Sequence, residues 1–213
     1  MPNPFQQLIE DLIKHPTPPF NPDQRERFLL KQSNKAGQIH GYLLDNFVDI
    51  AKTVGKNRVT FKNSKAANSY FASIISELGR KFKMKDSDLA ALREMVSVLT
   101  SADSTPRAAV VKFKSLKKSV KGSGQGAAIA RTILGIAADA AGRKSPPHAV
   151  SRLLGSTKKG AGAPIVAAPL LGVAAHDVAG AVMGAIHGAF GGPLMWLVGA
   201  MLEAPVHSLL AAI

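Results

Sequence analysis

Apolar residues recur along most of the chain at intervals of three and four, the spacing that places them on one face of an α-helix. The stripes run over residues 5–13, 28–54, 67–78, 89–99 and 109–120, and a small-residue stretch covers 127–141. One alternation, at Val59 and Phe61, would suit a short strand as well as a loop. The pattern therefore predicts an all-α protein of about seven helices.

Local residues indicate where some of these helices begin and end. Thr105 followed by Pro106 predicts a helix start, because threonine caps unpaired N–H groups and proline carries none. We expect Asp86 or Ser87 to cap the preceding helix, and Gly79 to close the one before it.

The C-terminal part is apolar over two long runs. Leu170 to Phe190 and Leu194 to Ile213 contain no Lys or Arg, and Gly191–Pro193 separates them. A helix of about 20 residues spans about 30 Å, the thickness of the hydrocarbon layer of a bilayer. The pattern predicts a Gly/Ala-rich apolar hairpin, which would lie in a membrane, in the core of an assembly or in an ordinary monomer core.

Glycines recur every fourth residue in the first of these runs. This spacing places them on one ridge, where a second helix backbone can approach closely. The candidate helix-packing residues are Gly180, Gly184, Gly188 and Gly192.

Several ionisable residues interrupt the same apolar runs. An acid at the centre of a bilayer costs about 3 kcal/mol, so these side chains need a role or a partner. Because histidine changes its charge near neutral pH, we interpret them as candidate pH-sensing residues, with hydrogen bonds across the hairpin as the alternative. They are His176, Asp177, His187, Glu203 and His207.

Charge divides the chain into three segments. The 27 Lys and Arg exceed the 14 Asp and Glu, for a net charge of +13. Residues 104–160 hold 12 of these cations against the single acid Asp139, and residues 161–213 hold none. We predict a helical domain over 1–103, a basic helical or linker segment over 104–160, and the apolar hairpin over 161–213.

The basic segment has the composition of a polyanion-binding region. Nucleic acid would be bound through the release of counterions from its phosphates. Anionic lipid would attract the segment with a binding free energy of about 1 kcal/mol per basic residue. Phe113 is the one aromatic residue in the segment, so we expect contact that ignores sequence. A solvated basic face is the alternative. The candidate contacts are Lys112, Lys114, Lys117, Lys118, Lys121, Arg131, Arg143, Lys144, Arg152, Lys158 and Lys159.

The sequence argues against an enzyme. The absence of cysteine excludes disulfides, thiol catalysis and Cys-ligated metal sites. The glycine-rich run Gly122–Gly126 lacks the Lys-Ser/Thr that would follow in a nucleotide-binding loop, and no nucleophile elbow is present. We predict neither a cofactor nor a metal.

Together these features predict a non-enzymatic structural or assembly protein, a component of a virion or nucleoprotein. It would bind nucleic acid or an anionic membrane, form a homo-oligomer or larger assembly, and be anchored by its C-terminal hairpin. The N-terminal residues do not resemble a secretory signal, so we expect an intracellular or virion location. The alternative is a membrane-permeabilising protein that inserts the hairpin.

Overall fold

The computed structural model describes residue 7 and residues 22–46, 63–143, 173–189 and 195–211. These residues form seven α-helices and no strand, which confirms the predicted fold class. The predicted helix over residues 5–13 and the alternation at Val59 and Phe61 lie outside the described residues. The helices are α1 (Pro22–Asn46), α2 (Ser64–Phe82), α3 (Asp86–Thr100), α4 (Pro106–Ser119), α5 (Gln125–Gly142), α6 (Val173–Gly188) and α7 (Met195–Ala211).

Two helix starts show how far capping signals hold. The Thr105 hydroxyl accepts a hydrogen bond from Ala108 N at 3.3 Å, with Pro106 as the first helical residue, so the predicted start of α4 is confirmed. The predicted cap of α3 is wrong, because Lys85 occupies the N-cap position and makes no side-chain capping bond. Asp86 lies instead inside the first turn, where its negative charge is favourable beside the helix dipole.

Gly79 does not end α2. The helix continues to Phe82, and Lys83 closes it in the left-handed conformation, with φ of 48°. Gly79 instead faces α3, where a Cβ atom would come within 2.9 Å of Leu89 Cδ2. The glycine therefore permits close approach of α2 and α3, a role that its position in the sequence does not reveal.

Helix α5 forms the centre of the molecule. It packs against α1, α4, α3 and α6, and almost all its side chains are buried. Its alanines and glycines let neighbouring helices approach from several directions, as expected for a helix that is apolar all round. The described parts of all three predicted segments contribute to one continuous hydrophobic cluster. As folding units, those segments stay a prediction.

Helices α6 and α7 run antiparallel, with their backbones in close contact. Gly180 faces Glu203 and Ala204, whereas Gly188, two turns later, faces Met195. The pair packs against α1, α2 and α5 in the interior of the same chain. Residues 190–194, which would form the predicted turn, lie outside the described residues. None of the described helices combines the length and hydropathy that crossing a bilayer requires.

Candidate polyanion-binding surface

Helix α4 separates an apolar face from a cationic one. The residues that it buries in the core are Ala109, Phe113 and Leu116. Arg107, Lys114 and Lys118 lie on the opposite face and are exposed, as is Lys121 just beyond the helix end. The helix contains no acidic residue, and none of these four cations forms an ion pair among the described residues. The result is an exposed cationic surface.

Two of the predicted phosphate contacts on α4 already have partners in the protein. Lys112 is exposed but forms an ion pair with Glu94 of α3. Lys117 is partly buried, and its Nζ donates a hydrogen bond to Asn34 O of α1 at 3.0 Å. Burial disfavours the ammonium form and, together with the charge of Arg131, lowers the pKa of Lys117. These two lysines therefore tie α4 to its neighbouring helices.

Arg131 lies inside the protein and holds the connection between α4 and α5. Its side chain is buried, and Nη1 donates hydrogen bonds to Val120 O at 3.2 Å and Gly122 O at 2.9 Å. Burial lowers the pKa of Arg131, and the charge of Asp88 offsets this in part. The guanidinium thus stabilises the turn and does not belong to the exposed cationic surface. The last four predicted contacts, Lys144, Arg152, Lys158 and Lys159, lie outside the described residues.

A second group of charges lies where α1, α5 and α6 meet, with two of its members fully buried and two partly exposed. His40 Nδ1 donates a hydrogen bond to Asp139 Oδ2 at 2.9 Å. On the other side of the ring, His40 Nε2 lies 3.3 Å from Asp177 Oδ1, at ion-pair distance but poorly aligned for a hydrogen bond. Arg143 Nε donates to the same Asp139 oxygen at 3.0 Å. We call these four residues the His40 cluster.

The two carboxylates keep His40 protonated despite its burial. Burial alone would lower the pKa of His40, but the charge of Asp177 and the hydrogen bond that His40 donates to Asp139 outweigh it and raise the pKa to about 9. Burial likewise tends to raise the pKa of Asp139, yet His40 and Arg143 hold it below its usual value. His40 and Asp139 are therefore both charged at neutral pH, and the contacts of His40 link α1 to α5 and α6.

The predicted pH-sensing residues do not form a single group. Asp177 belongs to the His40 cluster, and His176 beside it is buried. His187 Nδ1 pairs with Glu203 Oε1 at 3.1 Å near the surface. The side chain of His207 lies outside the described residues.

Sequence reasoning did not identify His40, which pairs with two acids far away along the chain. It also did not identify Asp139 as one of those partners. A usable signal was present, because Asp139 and Asp177 are lone acids inside Ala-rich helices and must find cationic partners there. Among the described residues, no group of three or more His, Asp or Glu is arranged to hold a metal ion. The chain matches no known family model, no curated protein and no solved structure.

Proposed function

We propose that this protein is a non-enzymatic component of a larger assembly and binds polyanionic surfaces through the outer face of α4. The observation that carries the proposal is the exposed cationic surface formed by Arg107, Lys114, Lys118 and Lys121. Arg107, Lys114 and Lys118 lie on α4, which has no acidic residues, so no carboxylate of the same helix neutralises these cations or the adjoining Lys121.

Binding of this kind is electrostatic and independent of base sequence. Phe113 is fully buried, so it is not available to stack on a base. Four phosphate contacts to a nucleic-acid duplex would release about 3.6 counterions. A plot of log binding constant against log salt concentration would then have a slope of about −3.6. On anionic lipid the same residues would contribute about 4 kcal/mol in total.

A triple variant tests the proposal. Lys114→Gln, Lys118→Gln and Lys121→Gln remove three exposed charges without disturbing the buried face of α4. We expect the slope of log affinity against log salt to flatten by about 2.7 on two unrelated DNA duplexes. Binding to vesicles that contain phosphatidylglycerol should weaken as well. Fluorescence anisotropy and vesicle co-sedimentation, over a range of salt concentrations, measure these quantities.

A matched control has the same net charge but a different distribution. Lys65→Gln, Arg80→Gln and Arg93→Gln remove three exposed cations from α2 and α3. This variant should retain most of the affinity of the wild type. Equal loss in both triple variants would mean that net charge alone acts, and an unchanged salt slope in the α4 variant would refute the proposed surface.

A second candidate function, membrane permeabilisation, is favoured by the packing of α6 against α7. Their backbones touch along Gly180, Gly184 and Gly188, so the two helices form a compact apolar unit. Such a unit would leave the core and enter a bilayer together. The test is release of a trapped dye from anionic vesicles at acid and neutral pH. The absence of leakage under both conditions would eliminate this candidate.

A further inference from the structure

An apolar side chain stands in the middle of the cationic surface of α4. Val111 is 65% exposed, the largest exposed fraction among the large apolar residues that the structure describes. Arg107 precedes it by four residues and Lys114 follows it by three, so one helical turn separates Val111 from a cation on either side. Exposing the isopropyl group to water is unfavourable, so Val111 would be stabilised by an apolar partner outside the chain.

The apolar surface continues from Val111 into a groove between α3 and α4. The groove has a volume of about 740 Å³ and presents mainly apolar atoms, among them those of Val98 and Ala108. Its lining also includes two cations, Arg107 and Lys112, and the hydroxyl residues Ser104, Thr105 and Ser115. Lys112 is held there by its ion pair with Glu94 of α3. Cations therefore border an apolar surface formed by two helices.

We propose that the polyanion bound by this protein is the surface of an anionic lipid bilayer, with Val111 inserted among the acyl chains. This inference rests on the proposed function and names its partner. A bilayer presents phosphate groups directly above hydrocarbon, and amphipathic helices bury their apolar groups about 5–10 Å into that boundary. A nucleic-acid backbone offers phosphate but no hydrocarbon layer behind it. The combination of a cationic rim, Val111 and the apolar groove is thus complementary to lipid.

Substitutions at Val111 separate the two polyanions. Val111→Thr keeps the branched shape but replaces a methyl group with a hydroxyl group, and should weaken binding to phosphatidylglycerol vesicles about fivefold. Val111→Leu adds one methylene group and should strengthen it about threefold. Neither change should alter duplex affinity. Met195→Gln, at an exposed apolar residue of α7, is the matched control and should leave vesicle affinity unchanged.

A single label reports insertion directly. The chain has no cysteine, so Val111→Cys provides one site for an environment-sensitive dye. Its emission should shift to the blue with anionic vesicles and stay constant with duplex DNA. The same dye on Ser76→Cys, an exposed site on α2, should not shift.

The outcomes distinguish failure of this inference from failure of the proposed function. If the α4 lysine variant loses vesicle binding while the Val111 variants and label show no change, the surface binds phosphate without inserting, and the lipid inference is overturned. If duplex binding responds to Val111 as strongly as vesicle binding does, lipid is not the specific partner. If the lysine variant binds both polyanions normally, the proposed function fails first.

Discussion

Replacement of His40 by glutamine should remove a defined, pH-dependent contribution to stability. His40 is fully buried between Asp139 and Asp177, which raise its pKa from 6.5 to about 9. A rise of this size corresponds to about 3 kcal/mol of folding free energy. Because the pKa is higher in the folded state, the contribution is complete below about pH 6.5 and is lost as the pH rises through about 9.

The measurement uses the single tryptophan of the chain. Trp196 is fully buried, and its ring lies 6.4 Å from that of Phe82 in an edge-to-face arrangement. Its fluorescence should report urea unfolding at a series of pH values. We expect His40→Gln to be about 3 kcal/mol less stable than the wild type near pH 6, and the two stabilities to converge near pH 10.

His187→Gln provides the control, since the imidazole of His187 is more than half exposed beside Glu203. This variant should follow the pH dependence of the wild type. Parallel stability curves for the wild type and His40→Gln would refute the assignment, because they would mean that His40 does not change its protonation on unfolding in this range.

Three further predictions follow from individual contacts. Gly184→Ala should lower the free energy of unfolding by about 2–3 kcal/mol, measured by urea titration, because the added methyl group would overlap Gly199 O. The control Gly124→Ala places its methyl group in open space and should lower the free energy of unfolding by less than about 1 kcal/mol. Arg131→Met should cost about 2 kcal/mol, because the carbonyl groups of Val120 and Gly122 would lose their hydrogen-bond donor and that of Val120 is buried. The folded variant should still bind anionic vesicles normally, and weaker binding would instead place Arg131 at the phosphate. Below about pH 4 the wild type should lose stability more steeply than Asp139→Asn in an acid titration followed by circular dichroism. The pKa of Asp139 is lowered in the folded protein, so its carboxylate stabilises the fold only while it is ionised. Equal slopes for the two proteins would contradict this.

We infer that the His40 cluster also gives α6 a defined position. Helix α6 is rich in alanine and glycine, so it offers few large side chains that could set the register of its packing. Asp177 can pair with His40 in one register only, and a mispositioned helix would leave the Asp177 carboxyl group buried without its partner. We therefore expect Asp177→Asn to weaken the contact between α6 and α1, measured as faster hydrogen exchange in both helices. Unchanged exchange rates would show that side-chain packing alone sets the register.

Local signals succeeded where their physics is local. The spacing of Ala109, Phe113 and Leu116 identifies the buried face of α4, and Thr105 identifies its first turn. These features depend on atoms a few residues apart, so the sequence contains them in full. Gly79 shows the limit of such reasoning. Its lack of a side chain makes room for Leu89 of α3, and it does not end α2.

The lysines of α4 show what local reasoning leaves open. Lys114 and Lys117 are the same residue type, three positions apart on one helix. Lys114 is exposed, whereas Lys117 donates a hydrogen bond to Asn34 of α1. The identity of the exposed cations depends on where α1 and α3 lie. Periodicity alone does not contain this information, since it gives the face of a residue but not the partner opposite.

By itself, the sequence determined the helices, the segregation of positive charge into residues 104–160 and the four-residue spacing of the glycines in α6. Only the tertiary structure decided which cations remain on the surface, what the glycine ridge packs against, and that His40 lies between two acids, one 99 residues away along the chain. The physical reason is that helix periodicity and capping act over one or two turns. Desolvation and charge pairing depend instead on which helices meet in space.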